Sequence, residues 1–224
     1  MPRHERHSSR RSLIFHCTGR LLIVIGLLGG CARLPYTTQV LYEDRRVVVA
    51  LQREPKPAGY SHPAKLHPEE LSAILNSFSF RARQSLPLRW YAEEVPPKQI
   101  FRADELFVLV PHLADALQMA GPDERVHFQL LAPGMNPASD RDTTAGWIAV
   151  RDPYFYLYLE HYHAQFPIRK SEEWDLRYPA LPPQPGSFIL YFEPGRFWVT
   201  DPVSGQSAVQ LREFLKSAIV PSKK

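Results

Sequence analysis

The sequence predicts an α+β fold, in which an antiparallel sheet of about five to seven strands carries two or three helices packed on one face. Apolar residues recur at helical spacing in three separate segments. From residue 125 onward the period of the apolar residues changes from helical to two, the period of a half-buried strand. No internal repeat is found. We therefore expect a single domain over residues 44–220.

The first half of the chain is predicted to supply two helices. Residues 46–51, RVVVAL, are rich in β-branched residues and predict a first strand. Pro68 starts a helix after a Pro-rich loop, since proline suits the first helical position, and residues 78–83 alternate as a short strand. A second helix is predicted over residues 103–120, where Pro111 should kink or split it.

The second half is predicted to supply most of the sheet. Val126, Phe128 and Leu130 alternate with polar residues, which indicates a strand with one buried face. Further strands are predicted at residues 144–151, 154–163, 187–193 and 196–200, and a final helix is predicted at residues 208–218.

The first thirty residues have the layout of a secretory signal. Five arginines flank a short apolar run from Leu21 to Leu28, and small residues follow. The run is too short to cross a bilayer, which takes about 20 apolar residues. We therefore expect residues 1–30 to be a signal peptide that is removed.

The end of this leader is more specific. Leu28-Gly29-Gly30-Cys31 resembles the lipobox of bacterial lipoproteins, and the resemblance covers the leader only. It implies that Cys31 is acylated and becomes the first mature residue, and that the lipid attaches the chain stably to a membrane. We expect residues 31–43 to be a tether between the lipid and the domain. Ala32 follows the cysteine where aspartate would favour the inner membrane. The resemblance therefore implies the outer membrane, with the domain facing the periplasm.

Removal of the leader changes what the composition implies. The chain has 27 Lys and Arg against 23 Asp and Glu, and five of the bases and one of the acids lie in the leader, so 22 of each remain. A neutral domain gives no reason to expect a nucleic-acid partner. Cys17 is lost with the leader and Cys31 is blocked, so no thiol remains for a disulfide, a nucleophile or a metal site. Glycine-rich phosphate loops are absent, and no cofactor is expected.

The segment from Tyr154 to His163, YFYLYLEHYH, suggests a binding surface. Tyrosine has a flat apolar ring and a polar tip that suit sugars or protein partners. The alternative is ordinary cross-strand packing on a half-exposed sheet, where aromatic residues are favoured. In a regular strand one face carries Tyr154, Tyr156, Tyr158, Glu160 and Tyr162.

The same segment raises the possibility of a metal site. His161 and His163 share the other face of a regular strand, a spacing that can place two imidazoles on one ion. Zinc needs a third protein ligand, for which His127 and Glu160 are candidates, although Glu160 would point to the opposite face. No HExxH motif is present. The alternative is that both histidines face water.

Together these observations favour a membrane-anchored lipoprotein of the bacterial cell envelope. We expect it to act as a binding or accessory factor for an envelope protein rather than as an enzyme, and no catalytic residue is assigned. Two alternatives remain open: a metal-dependent hydrolase that uses His127, His161 and His163, and a glycan- or peptidoglycan-binding module that uses the tyrosine face.

Overall fold

The computed structural model describes residues 38–82, 96–167 and 185–219 of the chain. These residues form ten strands and three helices and belong to one compact unit, Thr37–Lys224. The strands are β1 (Thr38–Glu43), β2 (Val47–Arg53), β3 (Phe78–Ala82), β4 (Lys98–Gln99), β5 (Glu124–Pro133), β6 (Asp140–Arg151), β7 (Tyr154–Pro167), β8 (Phe188–Phe192), β9 (Trp198–Thr200) and β10 (Ser207–Gln210). The helices are α1 (Pro68–Asn76), α2 (Ala103–Met119) and α3 (Leu211–Ile219).

Seven of these strands form one antiparallel sheet in the order β1-β2-β5-β6-β7-β10-β9. The other three form a smaller antiparallel sheet in the order β4-β3-β8. The chain between β2 and β5 supplies α1, α2 and two strands of the smaller sheet. The predicted fold class, an α+β fold with an antiparallel sheet and helices, is confirmed.

Helices α1 and α2 begin in the same way. The side chain of Glu70 accepts a hydrogen bond of 2.9 Å from the main-chain N–H of His67 at the start of α1. Glu105 accepts one of 2.8 Å from the N–H of Arg102 at the start of α2. Each carboxylate also places negative charge at the positive end of a helix dipole. Pro111 lies inside α2, but the helix runs unbroken over 17 residues, so the predicted split is not found.

The main core lies between the helices and one face of the seven-stranded sheet. Burial of each leucine or phenylalanine side chain contributes about 1.5–3 kcal/mol, so this shared cluster accounts for much of the stability. Its fully buried members include Leu71, Ile74 and Leu75 of α1, Leu109, Leu113 and Leu117 of α2, and Val47, Val49, Val126, Phe128, Ile148 and Phe155 of the sheet. Phe78, Phe80 and Phe192 of the smaller sheet join the same cluster.

A second, smaller cluster lies on the opposite face of the seven-stranded sheet. Trp147, Ala149, Tyr156 and Ala208 are buried in it. The partly buried rings of two further tyrosines, one of them Tyr60 in the loop after β2, pack against it. This face of the sheet is therefore partly covered, and only some of its side chains remain accessible.

Two elements differ from the sequence-based expectation. Strand β1 occupies residues that were expected to belong to the tether of 31–43, because Leu41 and Tyr42 pack against the core and β1 pairs with β2. Strand β10 occupies the start of the predicted helix 208–218, and α3 begins only at Leu211. Among the described residues, no helix is long and apolar enough to cross a bilayer.

Candidate functional site

A bulge in β7 decides which way its side chains point. Leu159 pairs with Gly146 and His161 pairs with Ala145, so Glu160 is an extra residue in β7. An extra residue reverses the alternation of side chains beyond it. Between this bulge and a second irregularity, which lies between His161 and Ala164, β7 therefore presents the side chains that a regular strand would turn away.

The four candidate tyrosines consequently divide between two faces. Tyr154 and Tyr156 pack in the second cluster, and Tyr158 on the same face is 47% exposed. Tyr162 lies on the core side, with its ring centroid 4.3 Å from that of Phe80. The prediction that all four share one face is wrong for Tyr162. Of the four, Tyr158 is the one with an accessible ring.

The three candidate metal ligands are not brought together. The Nε2 atom of His127 lies 3.0 Å from Oε2 of Glu160, and His161 is close to both. His163, by contrast, has its Nδ1 2.9 Å from Oδ2 of Asp142. In the part of the chain that the structure describes, no group of three or more His, Cys, Asp or Glu residues is arranged to hold a metal ion.

The contact between His127 and Glu160 links β5 to β7 across β6. On β6, Trp147 lies opposite His127, and Ala145 lies opposite His161, the residue after Glu160. Burial raises the pKa of Glu160, but the hydrogen bond from His127 and nearby positive charge outweigh burial and lower it overall. Burial also lowers the pKa of His161. The ionised Glu160 therefore has a structural role, and neither side chain of the pair lines the cavities described below.

A groove opens along the edge of β7 where β10 diverges from it. Strand β10 pairs with β7 only at Tyr154 and Phe155. Farther along that edge, the next main-chain hydrogen bond among the described residues runs from the N–H of Gly186 to the carbonyl of Glu160, at 2.7 Å. The groove between these contacts has a volume of about 490 Å³. That volume lies within the range of small-ligand and peptide pockets, about 300–1,000 Å³.

Aromatic rings and main-chain atoms line this groove. Tyr158 stacks on Trp147 with ring centroids 5.5 Å apart and planes 15° from parallel, and Trp198 lines the opposite side. Leu157 and Leu159 also line the groove although they are buried, so their main-chain atoms face it. Exposed Gln206, Ser207 and Ser187 add polar groups at the rim.

A hydrogen-bond network fixes the wall of the groove beside β10. The hydroxyl of Tyr156 donates to Oδ2 of the fully buried Asp201 at 2.6 Å. The hydroxyl of Ser204 and the N–H groups of Val203 and Ser204 donate to the same carboxylate, and Arg151 lies 3.4 Å from it. These hydrogen bonds hold the pKa of Asp201 well below its ordinary value. The loop between β9 and β10 is therefore anchored to β7.

The sequence did not indicate most of the groove. Trp147 lies in the predicted strand 144–151. Pairing of that strand with residues 154–163 in the observed register would have placed the ring of Trp147 beside that of Tyr158. Trp198, Gln206 and Ser207 lie in short segments whose placement depends on tertiary packing. Cys31, the candidate lipidation site, lies outside the described residues.

Comparison with models of known protein families, with curated proteins and with solved structures finds no match to this chain.

Proposed function

We propose that this chain is a membrane-anchored lipoprotein of the bacterial cell envelope that acts by binding a partner protein. The leader ending in Cys31 supports the anchor, because its sequence resembles a lipobox. Acylation would hold the domain at the membrane, most simply at the outer membrane on the periplasmic side. The groove beside β7 supports a binding role.

The observation that carries the binding role is the open edge of β7. Leu157 and Leu159 turn main-chain atoms into the groove, and no strand pairs with them there among the described residues. An extended peptide can add to such an edge through main-chain hydrogen bonds, while pockets beside the edge select its side chains. Tyr158 and Trp198 supply such pockets, and aromatic residues are enriched among the residues that contribute most to protein interfaces.

Glycan binding at the same groove is the second candidate. The accessible ring of Tyr158, supported from beneath by Trp147, offers a flat apolar surface with the polar side chains of Gln206 and Ser207 nearby. Rings with adjacent polar groups suit sugars. Peptidoglycan is the envelope polymer with this chemistry.

The metal-dependent hydrolase has weaker support. His163 pairs with Asp142 rather than with His127 and His161, which leaves that alternative without the ligand set it needs. Elemental analysis of protein purified without chelator tests it directly. A metal at about one per chain that disappears in the His161→Ala, His163→Ala double variant would revive the hydrolase hypothesis.

Capture from detergent-solubilised envelopes tests the proposed function. We expect the full-length chain to retain one defined protein, and Tyr158→Ala to weaken this by about tenfold or more, as truncation of a central interface ring does. Phe107→Ala is the matched control, because Phe107 is an exposed aromatic residue on α2, outside the groove.

The outcomes separate the two candidates. Retention of a protein that depends on Tyr158 but not on Phe107 supports the protein-binding proposal. Sedimentation with purified cell-wall sacculi that depends on Tyr158, without a retained protein, supports glycan binding instead. Equal behaviour of both variants in both assays contradicts any binding role for the groove.

A further inference from the structure

A second cavity lies at one end of the seven-stranded sheet, away from the groove. The turn between β1 and β2, the start of α2, the end of β5, the start of β6 and residue 163 of β7 surround it. Its volume is about 640 Å³, within the range of small-ligand sites. Four arginines line it: Arg45, Arg46, Arg102 and Arg141.

Two of these arginines have carboxylate partners and two do not. Arg46 lies 3.4 Å from Asp104, and Arg102 lies 2.8 Å from Glu105. Arg45 and Arg141 are exposed and form no ion pair or side-chain hydrogen bond with any residue that the structure describes. Within the described part of the chain, two guanidinium groups at the cavity therefore have no anionic partner.

The acids at the cavity do not cancel this charge. Glu105 is held by Arg102, whereas Asp142 contacts His163 through Oδ2 and its buried Oδ1 has no hydrogen-bond partner among the described residues. Asp140 has no ion-pair partner among the described residues. Apart from His163, four guanidinium groups and three carboxylates line the cavity, an excess of one positive charge.

His163 adds a further polar group in an unusual conformation. Its backbone φ is 49°, the one positive value for a residue other than glycine in the described chain, and it lies within a second irregularity in the pairing of β6 with β7. Such conformations are costly and cluster at functional sites, where bulges re-aim side chains. The contact with Asp142 engages Nδ1, while Nε2 has no hydrogen-bond partner among the described residues.

We propose that this cavity binds a ligand through a phosphate or carboxylate group held by Arg45 and Arg141. A guanidinium group donates two parallel hydrogen bonds to such an anion, and it does so better than an ammonium group. The anion belongs either to a lipid head group or to a soluble molecule. This site is independent of the groove beside β7 and does not depend on the partner proposed there.

Calorimetric titration of the full-length chain in neutral detergent tests the proposal, with inorganic phosphate as the probe. We expect saturable binding that weakens by about tenfold or more in the Arg45→Gln, Arg141→Gln double variant, because two charge-assisted contacts are lost. The Arg53→Gln, Lys56→Gln double variant is the matched control. It removes the same charge at two exposed positions that do not line the cavity.

Vesicles identify the source of the anion. The full-length chain is mixed with phosphatidylcholine vesicles, with or without phosphatidylglycerol, so that its own anchor contributes equally to both. A preference for phosphatidylglycerol that disappears with Arg45 and Arg141 assigns the site to a lipid head group. Phosphate binding without that preference assigns it to a soluble anion. The proposal is overturned if phosphate does not bind saturably, or if both double variants weaken phosphate binding equally.

Discussion

His62 should make the stability of the domain depend on pH. It is buried, its Nδ1 lies 2.8 Å from the carbonyl oxygen of Glu124, and its Nε2 lies 3.0 Å from the main-chain nitrogen of Val150. The Val150 N–H can donate only to an unprotonated Nε2, so the ring is neutral and donates from Nδ1. Burial lowers the pKa of His62, and the hydrogen bonds to main-chain carbonyls offset only part of that effect.

The sign of the pH dependence follows from this lowered pKa. The unfolded chain binds a proton at His62 at about pH 6.5, whereas the folded chain binds it only at lower pH. The contribution of His62 to stability is therefore full above about pH 6.5 and is lost as the pH falls toward the folded pKa.

The substitution His62→Leu should reveal this contribution. It leaves the Val150 N–H and the Glu124 carbonyl without their partner, and each unsatisfied buried group costs about 1–3 kcal/mol. We expect the free energy of unfolding at pH 7.5 to fall by about 2 kcal/mol or more. For a domain of this size, Tm should fall by about 4–8 °C.

Denaturant unfolding of the wild type and of His62→Leu between pH 5 and 8 measures both quantities. The difference between the two proteins should be largest above about pH 6.5 and should shrink below it. His67→Leu, at an exposed position, controls for the loss of a histidine. A difference that stays constant with pH, or that grows as the pH falls, would refute the assignment of a neutral, hydrogen-bonded His62.

Three further predictions concern packing and charge. Gly146→Ala should lower Tm in a thermal scan, because the added Cβ would lie 2.2 Å from a carbonyl oxygen of β7 and overpacking costs about 1–3 kcal/mol. Gly195→Ala, with open space around its Cβ, should leave Tm nearly unchanged. Leu113→Ala should lower the free energy of unfolding by about 2–5 kcal/mol in denaturant titrations, whereas Phe107→Ala, at an 84% exposed position, should change it little. Equal effects of the two substitutions would contradict the burial of Leu113 in the core. Glu160→Gln should lower the free energy of unfolding by about 1–2 kcal/mol at pH 7. Because the pKa of Glu160 is lowered in the folded chain, the difference between the two proteins should shrink as the pH falls below about 4.3.

The sequence was sufficient for the fold class because periodicity reports burial directly. Val126 and Phe128 alternate with the polar residues Arg125, His127 and Gln129, and both are fully buried on one face of the sheet. Leu113 and Leu117 of α2 also lie in the core as their helical spacing predicts. Long elements with one buried face carry many such residues, and the pattern is therefore robust.

The failures arise where short elements or irregular pairing depend on tertiary contacts. Phe107 lies among the apolar residues of α2, next to buried Leu106, but it is exposed. A Pro-Gly pair is typical of a type II turn, yet Gly195 has no positive φ and begins a short 3-10 helix. The bulge at Glu160 cannot be read from a single sequence, because nothing in YFYLYLEHYH marks the extra residue. That one residue explains the misplacement of Tyr162.

The candidate site was only partly predictable for the same reason. Tyr158 was identified from its aromatic surroundings, and it is the exposed member of the tyrosine set. The groove around it forms from the divergence of β10 from β7 and from the position of Trp198 on β9. These features depend on strand order, which the local pattern of residues does not encode.

Site-specific photocrosslinking in the native host tests the central claim, binding by an anchored domain through the groove, most directly. A crosslinking residue at Ile189, exposed at the rim of the groove, is compared with one at Val203, which is exposed outside it, each with and without Cys31→Ala. We expect the chain to be in the outer membrane and to give one defined protein adduct from position 189 and none from position 203. The Cys31→Ala variant should lose both the adduct and the outer-membrane location. A location that survives Cys31→Ala would contradict the lipid anchor. The same adducts from both positions, or none from position 189, would contradict binding through the groove.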